Sequence, residues 1–160
     1  MAKAIKTILN KTQSPNILPL SGIGRVPPQA IELEEAILGA LLIDRDALSK
    51  VIDILSAESF YVDGHQKIFE AITQLFGDSD PIDILTVSQR LKKEGELNNI
   101  GGEAKLIGLS TRVSSSAHIE FHSRIVVQKH IQRELIRISH NMIEQAYDET
   151  NDVRELLDTD

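Results

Sequence analysis

The segment His118-Ile-Glu-Phe-His122 comes nearest to an arrangement that could do chemistry. Histidines four apart on a helix share a face and offer two ligands to a divalent metal, with Glu120 close by. A stable site needs at least one more ligand from elsewhere, so the residues favour surface or interface histidines near a helix start. His65 sits in Asp63-Gly-His-Gln, also at a helix start. A base role there would need a Ser or carboxylate delivered by the fold, and a structural hydrogen bond is the simpler assignment. His130 and His140 fall on a long helix as solvated or interface residues.

The acidic pairs Glu34-Glu35 and Asp78/Asp80 could suggest acid–base work, which requires a cleft that splits two carboxyl pKa values. First-turn acids of a helix and a polar loop account for them. Ser114-Ser115-Ser116 reads as a helix N-cap region rather than a nucleophile. None of the nine glycines leads a G-x-x-x-x-G-K-[ST] loop, so the cradle for ATP phosphates is missing. Gly22-Ile-Gly24 and Gly101-Gly102 lack the strand and parallel sheet of a dinucleotide site. The expectation is a chain with no catalytic, cofactor or metal site of its own.

Composition narrows the class further. With no Cys there is no disulfide framework, thiolate catalysis or Cys-based zinc site. Only two Tyr, four Phe and no Trp are present, so aliphatic packing must carry the core. No apolar run reaches the roughly 20 residues of a membrane span, and no signal-peptide core opens the chain; no membrane and a cytoplasmic location are expected. Lys3, Lys6, Lys11 and Arg25 give residues 1–25 a charge of +4, whereas the remaining 13 basic and 24 acidic residues give −11. A body of that sign repels a phosphate backbone.

The elements that must position these residues are all helical, because no period-2 apolar alternation flanked by turn signals occurs. Residues 1–25 read as a flexible basic tail. The first helix is expected from about Pro28 to Ile43, burying Leu33, Ile37, Ala40 and Leu41, with Gly39 allowing close backbone approach. A second, capped by Asp44 or Asp46, should bury Leu48, Val51, Ile52 and Leu55, followed by Phe60 as a core plug. A third, capped by Asp63 and stopped by Gly77, carries Ile68, Phe69, Ile72, Leu75 and Phe76. The fourth is the most tightly punctuated: Pro81 leads in, Asp83 caps, Val87 and Leu91 recur four apart, and Gly95 follows Lys-Lys-Glu. A fifth runs from Gly101-Gly102 to near Leu109, and a polar turn spans Thr111 to Ser116.

From Ala117 to Tyr147 neither Gly nor Pro occurs. At ~1.5 Å per residue that is a rod of roughly 46 Å, longer than a small helical body can cover. Phe121, Ile125, Gln128, Gln132, Leu135, Met142 and Ala146 lie near one face and Ile136, Ile143 and Tyr147 on a neighbouring one. Asp152 can cap a returning helix through Leu156 and Leu157. The expected domain plan is a tail over 1–25, a helical body over 26–116 and a helical hairpin over 117–160. The hairpin's second arm reads as incomplete.

Several segments follow one another at characteristic spacing: Val26-Pro27-Pro28, Glu34 to Asp44, Phe60-Tyr61, His65, Ile68 to Ile72, Pro81-Ile82-Asp83, Leu85-Thr86 and Gly101-Gly102. The series closely resembles the N-terminal domain of the bacterial replicative DNA helicase of the DnaB type, from roughly Val26 to the C-terminus. At His118 and His122 the sequence departs from that family, which usually has Asn and Tyr there. The resemblance implies a homo-oligomer in which hairpins pair between subunits and the domains form a ring as a trimer of dimers. It also implies docking of the primase C-terminal helical domain and, in some bacteria, of a helicase loader. DNA would be met only through the full-length ring, and ATP and Mg only in the missing motor domain. Ile136, Met142, Ile143 and Tyr147, with Leu156 and Leu157, are the expected contact residues, unless they only zip the hairpin's two arms together. The alternative is a helical nucleic-acid-binding module, since short helices and tight turns can imitate helix-turn-helix spacing; the −11 body and the lack of a basic recognition helix oppose it.

Overall fold

Five α-helices and two short 3-10 turns, with no strand, account for the regular structure of residues 25–147, the part of the chain that the computed structural model describes. The all-α expectation holds for these residues. The tail except Arg25, the cap at Asp152 and the contact residues Leu156 and Leu157 lie outside them.

Helix α1 (Ile31–Ile43) is the central element and packs against three others. It starts three residues later than expected. The carbonyl of Pro28 is engaged by Arg133 at 3.0 Å, and Ala30 provides the first helical acceptor. Ile37, Leu38, Ala40, Leu41 and Leu42 are buried, so little of its middle meets water. Gly39 faces α4 (Gly102–Thr111) so closely that an added Cβ would strike the Leu109 carbonyl oxygen and come within 2.8 Å of Val113 Cγ2.

The second expected helix is not formed. Residues 44–55 run as tight turns with a 3-10 turn at Leu48–Lys50. Leu48, Val51 and Leu55 are buried as expected, and Ile52 half so. Sinking these apolar side chains into the core within so short a stretch outweighs a regular helix, and the β-branched Val51 and Ile52 gain little from one. Phe60, fully buried, stacks at 5.1 Å on Phe69 of α2 (Asp63–Gly77).

Two local expectations for α2 are corrected. Its N-cap is Val62, and Asp63 is the first helical residue, where a negative charge meets the helix dipole without capping it. Gly77 is the last helical residue, not the stop. The chain reverses at Ser79, which adopts φ +62°, while Asp80 N–H donates to Leu75 O at 2.9 Å. Phe76 is largely exposed.

Helix α3 (Ile84–Lys93) follows its punctuation. Asp83 Oδ1 accepts from Thr86 N–H at 2.9 Å, and Thr86 Oγ1 accepts from Asp83 N–H at 3.0 Å, a reciprocal cap. Gly95 takes φ +78°, and Glu96 N–H closes on Leu91 O at 2.8 Å. Helix α5 (Ile119–Tyr147) is one unbroken rod of 29 residues. Only its first half is built into the body, through buried Ile119, Ser123 and Val126.

Candidate functional site

From Leu135 to Tyr147 the side chains of α5 are exposed, with Ile143 half-buried. This projecting half, about 20 Å long at ~1.5 Å per residue, is the candidate interaction surface. The apolar residues of this half and of the turn before it fall into two stripes. Ile131, Leu135, Ile138 and Met142 are spaced four, three and four, the heptad spacing of a helix-pairing seam, and all four are exposed. Ile136, Ile143 and Tyr147 lie about a third of a turn away. Tyr147 is 70% exposed and Met142 62%. Apolar residues at this spacing are more than single scattered ones, which is why the arm is the candidate.

The expected contact residues are therefore split. Met142 belongs with the seam, whereas Ile136, Ile143 and Tyr147 form the other stripe. Ile131 and Ile138, not among the expected contact residues, are exposed on the same stripe, and their spacing from Leu135 and Met142 is a readable signal. Phe121, expected on the same face as Leu135, is exposed near the other end of the rod.

Polar groups fix the root of this arm. Arg133 donates from Nη1 to Pro28 O at 3.0 Å and from Nη2 to Ser59 O at 2.9 Å, and its Cζ lies 5.5 Å from the centre of the Tyr61 ring. The backbone of Tyr61 is held in turn: its N–H donates to Glu34 Oε1 at 2.7 Å, and Val62 N–H to Glu34 Oε2 at 3.4 Å. His65 Nδ1 is 2.8 Å from Glu34 Oε2, and both side chains are buried. His65 thus takes the structural role expected of it, while its Nε2 is buried without a hydrogen-bond partner. Glu34 is no ordinary first-turn acid, because its carboxylate is spent on a loop and a histidine. That too had a signal: Glu34 lies three before Ile37 and four before Leu38, within the apolar stripe.

Glu35, on the next face, bridges Lys105 at 2.8 Å and also meets Arg112. The Lys105 hydrogen bond and the two positive charges hold its carboxyl below the usual range against the opposing effect of burial. Asp44 is likewise lowered, chiefly by its bond from the Ser116 hydroxyl, which ties the end of α1 to the turn before α5. The Arg90 guanidinium bonds Asp78 at 2.5 Å and lies 3.8 Å from Asp80, so this acidic pair serves as a loop anchor.

His118 precedes the first residue of α5, and its ring centre lies 6.2 Å from that of His122. Among the described residues no group of three or more His, Cys, Asp or Glu side chains is placed to hold a metal ion. No described helix is long and apolar enough to cross a membrane.

Comparison with known proteins fits this architecture. The family described as DnaB-like helicase N terminal domain matches residues 26–128. The replicative DNA helicase DnaB of Rhodothermus marinus is 45% identical over 135 residues, covering 84% of this chain and 14% of that protein. The replicative DNA helicase DnaB of Geobacillus stearothermophilus is 38% identical over 134 residues, covering 84% and 30%. The chain thus spans under a third of the length of these relatives. The crystal structure of the N-terminal domain of DnaB helicase from Mycobacterium tuberculosis superposes with a TM-score of 0.80 at 32% identity, covering 83% of this chain and 94% of that one.

Proposed function

The chain belongs to the DnaB-like helicase N terminal domain family, and from that membership we propose that it serves a replicative DNA helicase as a non-catalytic assembly and docking domain. Its partners in this reading are further copies of itself, the C-terminal helical domain of primase and, in some bacteria, a helicase loader. ATP, Mg and DNA are handled by a separate motor domain within the assembled ring, in the cytoplasm.

The observation that carries the reading is the exposed seam Ile131, Leu135, Ile138 and Met142, which runs along α5 onto its projecting half. Left in water, such a stripe forgoes about 25 cal/mol for each Å² of apolar surface it could bury. Heptad spacing suits a partner helix rather than a small ligand. The acidic balance of the chain, −7 overall, favours a protein partner over a nucleic acid.

Light scattering on a sizing column tests this, with the protein alone and with the cognate primase's C-terminal domain. A dimer or larger species that shifts to a defined complex is expected. Leu135→Asp with Ile138→Asp should leave the helical circular dichroism intact yet reduce the protein to a monomer. Ile136→Asp probes the second stripe in the same way. Unchanged assembly in both variants would remove the arm from the interface. A wild-type monomer that ignores primase but binds single-stranded or duplex DNA in a salt-dependent way would favour the nucleic-acid module instead.

A further inference from the structure

We infer that Arg133 is a latch that fixes the direction in which the arm of α5 leaves the body. Two sets of contacts join this rod to the rest of the fold. The first lies near its start, where Ile119 and Val126 are buried with Ser123 between them and Val127 packs beside the core. The second lies about two turns further on and centres on one guanidinium. Between Arg133 and Tyr147 only solvent-facing or half-buried positions follow. A rod pinned at both places has one direction, whereas a rod pinned only at the first can pivot about it.

The latch joins three segments. Arg133 takes the Pro28 carbonyl from the stretch before α1 and the Ser59 carbonyl from the 3-10 turn Ala57–Ser59, and it lies over the Tyr61 ring. The last two stand on a rigid base, because Glu34, buried inside α1, accepts the N–H groups of Tyr61 and Val62 and pairs with His65. The buried pair therefore has a mechanical consequence: it holds the plate on which the latch closes.

The chemistry of the latch is specific to arginine. A guanidinium stays protonated throughout the physiological range. Arg133 forms no ion pair among the described residues; its bonds go to neutral carbonyls, while the neighbouring Glu134 is taken by Arg137 at 2.7 Å. With an ionised donor these are charge-assisted bonds, roughly twice as strong as bonds between neutral groups. A lysine could not replace this arrangement, since an ammonium lacks the planar fork that reaches two carbonyls and the flat face that covers a ring.

Because the chain has no cysteine, a direct test is clean. Cysteines at the exposed positions Lys92 in α3 and Ser139 in the arm, carrying nitroxide labels, report the body-to-arm distance by pulsed electron resonance. Excess unlabelled protein removes distances between copies. The latched protein should give one narrow distribution. Arg133→Ala should at least double its width with helical circular dichroism unchanged, and Arg133→Lys should broaden it in the same direction. Arg137→Ala, which breaks only an ion pair within the arm, should leave the width as it was. Should Arg133→Ala fail to fold, the lysine variant decides. An unchanged width in the folded Arg133 variants, or equal broadening by Arg137→Ala, would overturn the latch. Recorded without primase and at a dilution where light scattering shows a monomer, the readout does not depend on what the arm binds.

Discussion

Glu34 and His65, 31 residues apart in the chain, meet with 2.8 Å between Oε2 and Nδ1, and water reaches neither side chain. An acid in the apolar stripe of one helix thus answers a histidine in the apolar stripe of the next. The loop between them is held by the same carboxylate through Tyr61 and Val62.

Removing that carboxylate strips two backbone donors and a buried imidazole of their acceptor. Glu34→Ala should therefore destabilise the fold by about 3 kcal/mol or more, the scale of breaking a buried hydrogen-bonded pair. Glu34→Gln, which keeps the shape and one acceptor oxygen, should cost less. Urea titration followed by circular dichroism checks the order. Equal losses for both variants would show that shape and one acceptor oxygen are not enough, and that the second oxygen and its charge hold the site.

Gly39 lies where α1 and α4 touch, and its missing side chain is what lets them touch. In Gly39→Ala the new methyl group meets the Leu109 carbonyl, a backbone atom that cannot step aside alone. The gain in helix propensity, about 1 kcal/mol, should be outweighed by an overpacking cost of roughly 1–3 kcal/mol. Thermal melting should show a lower midpoint, whereas Gly77→Ala, with open space around its Cβ, should show a higher one.

Glu35 makes stability depend on acid. Its carboxyl is held below the usual glutamate range by the Lys105 hydrogen bond first and by the Lys105 and Arg112 charges second. A depressed carboxyl stabilises the fold fully above its unfolded value, and the effect fades as pH falls through the folded one. The stability difference between wild type and Glu35→Gln should therefore be largest near neutral pH and shrink below 4.5. Arg112 is largely exposed, so its share should also shrink with added salt. Urea midpoints across an acid series measure both effects, and a constant difference would count against the assignment.

Local rules explain what could be read without a structure. The reciprocal cap of Asp83 and Thr86, the left-handed Gly95 and the unbroken rod of α5 depend on residues a few positions apart, so the chain displays them directly. Helical period likewise marked most of the core, from Ile37 and Leu41 to Ile68, Ile72, Val87 and Leu91. Family membership was legible too, because an ordered series of short segments is a linear pattern. Of the candidate surface, the surplus apolar face of the long helix was visible, and so were three of its exposed residues, Ile136, Met142 and Tyr147.

Tertiary structure decided the rest, wherever a residue's neighbour lies far along the chain. Residues 44–55 gave up a regular helix because core burial outweighed local periodicity. The reversal after α2 fell to Ser79 rather than Gly77, since packing of the following loop chose where the chain turns. Glu34 found His65, and Arg133 found Pro28, Ser59 and Tyr61, across separations that no spacing rule encodes. The same packing covers one side of α5 only as far as Arg133. On the uncovered side, Ile131, Leu135, Ile138 and Met142 form one stripe and Ile136, Ile143 and Tyr147 another, because burial by the body, not hydrophobicity along the helix, determines which apolar residues are left facing water.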